Sequence, residues 1–178
     1  MTPNPAEEDR RFMALALKRA EEALSRGEFP VGAVLAARGR VVADGSRDGT
    51  ALCPANEVDH AEMVALRRVE PLLASGEVAA SDLVCYATLE PCLMCYAALL
   101  IHGVNRIVYA YEDAMGGGTA CDLSVLPPLY RDKRPLIAPH VEREKSLALF
   151  QRFWADPATI YLRDTYLCRY TMSQSMVE

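Results

Sequence analysis

The sequence has the length and composition of an ordinary globular domain. It contains 178 residues, of which 51% are hydrophobic and 24% charged, and its formal net charge is −5. These values exclude a disordered chain, and the apolar runs are too short to span a membrane. Six scattered cysteines are too few for a disulfide scaffold. We therefore expect one cytoplasmic domain over residues 1–178, with a core over about 7–155 and a helical extension over 156–178.

The first part of the chain predicts a helix, a hairpin and a second helix. Apolar residues recur at helical spacing from residue 7 to residue 26, and Gly27 then ends the helix. Arg38-Gly39-Arg40 is typical of a turn between two strands. The content of Gly, Asp and Pro from residue 44 to residue 58 indicates a loop. The predicted strands cover residues 29–37 and 41–43, and the second helix covers residues 60–73.

The rest of the chain predicts further strands alternating with helices. Residues 83–89 are almost all apolar, as expected of a strand covered on both faces. Gly116-Gly117-Gly118 lies in a predicted flexible loop, residues 112–122, which could act as a lid over a ligand. The remaining predictions are helices over 91–102 and 144–154, strands over 106–111 and 136–141, and a last helix carrying Ile160, Tyr161, Tyr166, Leu167 and Tyr170. This order predicts an α/β fold, a three-layer α/β/α sandwich around a mixed central sheet.

Two short motifs, each at a predicted helix start, supply the donors of a metal site. His60 offers an imidazole, and Cys92 and Cys95 offer two thiols on one helix face, with Cβ atoms roughly 5–6 Å apart. This set can hold one tetrahedral zinc ion and leaves a fourth position open, which is typical of catalytic zinc. Asp59 is the predicted N-cap of the earlier helix. Glu62 faces another side of that helix and is predicted to carry protons rather than bind the metal.

Each motif alone has a plainer interpretation. Asp59 and Glu62 also have the spacing of a capping box. A Cys-x-x-Cys pair that opens a helix could be a thioredoxin-like redox pair. The coincidence of the motifs favours zinc, because a dithiol oxidoreductase has no use for His60 and Glu62. Cys53, Cys121 and the glycine loop receive no assigned role.

Several segments resemble the cytidine deaminase superfamily, in its branch of bacterial tRNA adenosine deaminases and guanine deaminases. The His-x-Glu and Pro-Cys-x-x-Cys motifs are the signature of zinc-dependent base deaminases. The segments that carry the resemblance, which extends over about residues 7–155, are Phe29-Pro30-Val31-Gly32-Ala33-Val34, Thr88 to Cys95, Arg106-Ile107-Val108-Tyr109-Ala110 and Glu112-Asp113-Ala114. The resemblance implies the same sandwich fold, one zinc ion per chain and a homodimer.

The resemblance also implies a set of substrate contacts. It places Phe29 beside the substrate, Asp113 in the pocket wall and the backbone amide of Ala61 against the base. The family asparagine that follows the second strand is replaced here by Arg47, and Asn56 is a possible substitute for it. Substrate recognition is therefore expected to differ from that of the family.

These observations predict a zinc-dependent hydrolase that deaminates a small nucleobase or a nucleoside-like aminoheterocycle. The alternative is deamination of the wobble adenosine of tRNA, which the acidic net charge disfavours because no basic stripe for a polyanion is evident. Two other classes stay open at this point: a Cys-x-x-Cys dithiol oxidoreductase and a noncatalytic, zinc-stabilised RNA-binding module.

Overall fold

The protein is built on a five-stranded mixed sheet. The structure, a computed structural model, describes residues 5–175. In the order β2-β1-β3-β4-β5, strand β1 pairs antiparallel with both β2 and β3, while β4 pairs parallel with β3 and β5. The strands are β1 (Gly32–Ala37), β2 (Arg40–Ser46), β3 (Leu83–Leu89), β4 (Arg106–Tyr111) and β5 (Leu136–Ala138).

Helices cover both faces of the sheet, which confirms the predicted three-layer α/β/α sandwich. On one face, α1 packs against β1 and β3, and α5 packs beside it against β4. On the other face, α2 and α3 pack in the larger apolar cluster, to which α5 and α6 also contribute. The helices are α1 (Pro5–Ser25), α2 (Ala61–Ala74), α3 (Leu93–Ile101), the short α4 (Pro128–Arg131), α5 (Arg143–Ala155) and α6 (Tyr166–Ser173). Among residues 5–175, no helix is both long and apolar enough to cross a membrane.

Two glycines let helices approach the sheet closely. A Cβ atom at Gly32 would lie 2.2 Å from the carbonyl oxygen of Ala16 in α1. A Cβ atom at Gly45 would lie 2.1 Å from the carbonyl oxygen of Ala61, the first residue of α2. Only glycine permits such contacts between backbones. Gly45 therefore allows the start of α2 to lie directly against the end of β2.

The parallel strands β3 and β4 bring two loops together at their carboxyl ends. The backbone N–H of Glu90, just after β3, donates to the carbonyl oxygen of Tyr111, the last residue of β4, at 2.7 Å. The segment that leads into α3 and the loop that follows β4 are therefore neighbours. Ligands commonly bind at this edge of an α/β sheet.

Some predicted boundaries are wrong. β1 begins at Gly32 rather than at residue 29, because the Val31 N–H donates to the carbonyl oxygen of Phe29 in a tight turn around Pro30. β2 is longer than predicted and continues to Ser46, and β5 ends at Ala138 rather than at residue 141.

The last predicted helix begins later than expected. Ile160 and Tyr161 lie in the irregular segment before α6, which starts only at Tyr166. The Thr165 hydroxyl accepts a hydrogen bond from the Cys168 N–H and so caps the helix there. We call residues 156–173 the C-terminal segment; residues 176–178 of the predicted extension lie outside the described residues.

Candidate metal centre and its cavity

The proposed metal donors lie at the N-termini of α2 and α3, which begin one and two residues later than predicted. His60 and Cys92 are the N-caps of these helices, with extended backbone conformations, whereas the sequence predicted them inside the first turns. At Cys92 the cause is a long-range contact: this residue forms an isolated β-bridge with Gly117, and the Gly118 N–H donates to the carbonyl oxygen of Pro91. This pairing keeps the backbone before α3 extended.

Asp59 is not the helix cap that the sequence predicted. Its carboxylate instead accepts a hydrogen bond from the Asn56 side-chain amide at 2.7 Å and forms an ion pair with Arg67. The capping-box interpretation of this motif is therefore wrong, because the position before Ala61 belongs to His60.

The three donors converge on one point. The ligand atoms of His60, Cys92 and Cys95 all lie within 4.8 Å of one another, and the Sγ atom of Cys92 is 3.5 Å from Nδ1 of His60. One imidazole and two thiols in this arrangement suit a tetrahedral zinc ion and leave one coordination position open. Among residues 5–175 no other cluster of three such side chains is close enough to hold a metal ion, and Cys53 and Cys121 are exposed elsewhere.

The two thiols differ in their protonation. A hydrogen bond from Cys95, reinforced by one from His60, lowers the pKa of Cys92 to about 4 in spite of its burial. The same hydrogen bond and burial raise the pKa of Cys95. The lowered pKa favours the thiolate form of Cys92, and thiolates are the form that binds zinc.

Glu62 lies beside the metal donors and is 3% exposed. Burial is the main cause that raises the pKa of its carboxyl group, and Cys95 is a hydrogen-bonding neighbour. A buried carboxyl group next to a metal site is well placed to exchange protons with a ligand.

The donors open into a cavity of about 260 Å³. This volume is near the lower end of the range of roughly 300–1,000 Å³ found for small-molecule sites. Four of the five predicted substrate contacts line it, namely Phe29, Arg47, Ala61 and Asp113, whereas Asn56 does not. Its other lining residues are Val31, Glu57, His60, Glu62, Leu89, Glu90, Cys92, Met115, Gly116, Tyr161, Leu162 and Leu167.

Asn56 has a structural task in the loop before α2. Its side-chain oxygen accepts hydrogen bonds from the backbone N–H groups of Val58 and Asp59, at 2.9 and 3.1 Å. The next residue, Glu57, reaches the cavity instead.

The loop after β4, which the sequence predicted to be flexible and able to act as a lid, forms hydrogen bonds within itself and with Glu90. The Asp113 carboxylate accepts from the N–H groups of Met115 and Gly116, at 3.0 and 2.9 Å, and burial raises its pKa. Glu90 accepts from the Asp113 N–H at 3.3 Å and from the Thr119 hydroxyl at 2.5 Å. Asp113 is therefore presented to the cavity by its own loop.

Sequence reasoning missed the contribution of residues far along the chain. Tyr161, Leu162 and Leu167 line the cavity, although the sequence predicted only a last helix for this part of the chain. No local pattern marks them as cavity residues. Phe29 contacts both α5 and the C-terminal segment. The centroid of its ring lies 5.1 Å from that of Phe150 and 5.4 Å from that of Tyr161.

Comparison with known proteins places this site in a family. The family model of the cytidine and deoxycytidylate deaminase zinc-binding region matches residues 6–111. A tRNA-specific adenosine deaminase of Agrobacterium fabrum is 41% identical over 107 residues, which are 60% of this chain and 67% of that protein.

Solved structures agree with this assignment. A structure from a study of A-to-I editing by tRNA:A34 deaminases has a TM-score of 0.66 and 31% identity, and covers 78% of this chain and 98% of its own. A guanine deaminase from Nitrosomonas europaea has a TM-score of 0.62 at 17% identity, over 81% of this chain and 83% of its own, which shows a shared fold. Because the family model matches more than half of the chain, including all three metal donors, this chain belongs to the cytidine and deoxycytidylate deaminase family of zinc-dependent enzymes.

Proposed function

We propose that this protein deaminates adenosine in tRNA by hydrolysis. The reaction would replace the exocyclic amino group by oxygen: water adds to the ring carbon, the carbon–nitrogen bond breaks and ammonia leaves. The observation that carries the deaminase chemistry is the buried Glu62 beside the cluster of His60, Cys92 and Cys95. Similarity to tRNA-specific adenosine deaminases favours this substrate over the small nucleobase that we expected from the sequence.

Zinc bound by the three donors would act as a Lewis acid and lower the pKa of its water. Glu62 would accept the proton from the attacking water. It would then deliver protons to the neighbouring ring nitrogen and to the departing amino group. A single buried carboxylate suits these steps because both proton acceptors lie on one edge of the heterocycle.

Three other residues would hold the base. The N–H groups in the first turn of a helix have no partner within the helix, so the amide of Ala61 could donate to the substrate. Asp113 would accept hydrogen bonds from the substrate, and Phe29 would supply an apolar wall.

We also propose a homodimer and a cytoplasmic location, as in the sequence-based expectation. Light scattering tests the homodimer, and an active monomer would contradict it.

The test is inosine formation in a tRNA anticodon stem-loop with adenosine at the wobble position. Zinc-loaded protein should release one ammonia per inosine formed, and a stem-loop with guanosine at that position should give none. The proposal is wrong if the zinc-loaded protein leaves the adenosine stem-loop unchanged.

A second candidate substrate is a free amino-substituted base. The observation that favours it is the cavity wall built from Tyr161, Leu162 and Leu167, together with the net charge of −5. A polyanionic substrate gains affinity from basic residues, whereas a free base does not need them. Ammonia release from free guanine, adenine or cytosine, without reaction of the stem-loop, would establish this candidate.

Because the family consists of zinc-dependent enzymes, we do not retain the dithiol oxidoreductase and the noncatalytic RNA-binding module as alternatives.

A further inference from the structure

The guanidinium group of Arg47 is the most unusual polar group in the cavity wall. Arg47 is 2% exposed. Its Nη2 atom donates to a carboxylate oxygen of Glu57 at 2.8 Å and to the hydroxyl oxygen of Tyr161 at 2.9 Å. Its Nη1 atom is buried and has no hydrogen-bond partner within residues 5–175. Buried donors without partners are rare in proteins and cost free energy, so this one requires an explanation.

The surroundings of Arg47 hold its side chain in one position. The Tyr161 hydroxyl accepts from Arg47 and donates to Glu57 at 3.0 Å, so the three side chains form a closed set of hydrogen bonds. Tyr161 is itself held, because the Trp154 indole N–H donates to its carbonyl oxygen at 3.0 Å. The backbone N–H of Arg47 donates to the carbonyl oxygen of Val31 at 2.8 Å.

The Glu57 carboxylate connects this set of side chains to the metal donors. The same Glu57 oxygen that binds Arg47 lies 3.9 Å from Nε2 of His60. Nδ1 of His60 faces Cys92, so the imidazole presents one nitrogen to the metal cluster and the other to Glu57. Because Arg47, His60 and Cys92 line the same cavity, a heterocycle that reacts at the metal donors can meet Arg47 with its far edge.

The chemistry of the group limits what it can recognise. A guanidinium has only N–H donors, so it pairs with an acceptor and repels an amino group. Glu57 balances the positive charge of Arg47, and this pairing makes the site less suited to an anion such as phosphate. The partner that fits is a neutral acceptor, which in a base means a ring nitrogen or a carbonyl oxygen.

We propose that Nη1 of Arg47 donates to a neutral acceptor on the edge of the substrate heterocycle that faces away from the metal donors. Tyr161 is a positioning residue, because its hydroxyl holds the guanidinium. The C-terminal segment, which lies beyond the matched residues 6–111, is therefore part of the specificity site. This inference rests on the proposed deaminase function.

The experiment compares substrates with analogues that lack one acceptor. In adenosine stem-loops, 3-deaza and 7-deaza substitutions each remove a ring nitrogen; among free bases, 2-aminopurine lacks the carbonyl oxygen of guanine. Equilibrium dissociation constants and kcat/KM are measured for each pair. In the pair whose missing acceptor is the one that Arg47 contacts, we expect the wild-type protein to favour the acceptor-bearing compound by about 10- to 100-fold in Kd and kcat/KM. This is the usual effect of a hydrogen bond to a charged group.

Variants connect that preference to Arg47. Arg47→Met keeps most of the side-chain length without donors and should bind both members of the pair alike. Arg47→Lys, which keeps the charge, provides the test if the methionine variant fails to bind zinc. Tyr161→Phe should raise KM more than it lowers kcat and should weaken the preference. Tyr166→Phe, an exposed tyrosine of the same segment, should behave as the wild type.

The outcomes separate the inference from the proposed function. Equal preferences in the wild-type protein and the Arg47 variants would overturn the inference, as would failure of the wild-type protein to bind any of these compounds. Binding with the expected preference but without ammonia release would overturn the proposed function and leave the role of Arg47 supported.

Discussion

The substitution Glu62→Gln separates the proposed proton transfer from every other property of the site. Glutamine keeps the shape and volume of the buried side chain but cannot carry a proton between water and substrate. Glu62 is 3% exposed, in the first turn of α2, and is not one of the three clustered metal donors. The variant should therefore fold and bind zinc as the wild type does.

The expected loss of activity follows from the number of proton transfers. A positioned acid or base contributes about 10²- to 10⁴-fold to a rate, which corresponds to about 3–5 kcal/mol of activation free energy. Glu62 would act in more than one transfer, so we expect the upper half of this range, about 10³- to 10⁴-fold in kcat. Because glutamine leaves no empty space, Tm should change by no more than about 4 °C, or about 1 kcal/mol for a chain of this length.

The assay combines ammonia release, zinc stoichiometry and thermal unfolding. Glu70→Gln is the matched control, because this exposed glutamate of the same helix bonds to His102 away from the cavity. It should leave kcat unchanged. If Glu62→Gln binds one zinc ion and retains kcat within about tenfold of the wild-type value, the carboxylate is not the proton carrier.

Three further predictions concern the metal, acid stability and packing. Cys95→Ser removes a clustered thiol and should lower the zinc content, measured by elemental analysis, well below one ion per chain. Cys121→Ser, at an exposed position, should not lower it. Full zinc content in Cys95→Ser would exclude Cys95 as a ligand. Burial alone would raise the pKa of Glu28, but hydrogen bonds from a threonine hydroxyl and backbone N–H groups lower it below 4.5. The unfolded state therefore binds the proton more tightly, so the stability from Glu28 is present above about pH 4.5 and is lost as the pH falls through the lower pKa of the folded state. Glu28→Gln should make Tm less dependent on pH in that window, and an unchanged pH profile of Tm would contradict this. Gly32→Ala should cost about 1–3 kcal/mol in urea unfolding, because the added Cβ would lie 2.2 Å from the Ala16 carbonyl oxygen; a stability equal to the wild type would show that α1 can move away from β1 freely.

Local patterns were enough to find the chemistry of the site. His60, Glu62 and the two cysteines were recognisable because helix starts impose spacings of a few residues, and because zinc accepts only a few kinds of donor. The apolar run of β3 similarly predicted a strand covered on both faces, and its observed bounds, Leu83–Leu89, match. Such features depend on neighbours in the chain, and any reader of the sequence can see them.

The exact helix starts required contacts that are distant in the chain. Cys92 is an N-cap rather than a first-turn residue because Gly117 pairs with it. His60 takes the cap position that the sequence assigned to Asp59, whose carboxylate instead forms contacts with Asn56 and Arg67. Propensity alone cannot choose between such alternatives, since they differ by only about 1 kcal/mol.

The amino-acid sequence by itself determined the kind of reaction, and the tertiary structure decided what surrounds the reacting atoms. Arg47 and Tyr161 are 114 residues apart in the chain but 2.9 Å apart in space, and Glu57 joins them in the same hydrogen-bonded set. Each is an ordinary residue in its own stretch of sequence. They come together because the turns after α5 pack against the aromatic ring of Phe29, and this packing depends on the whole folded core rather than on any local pattern.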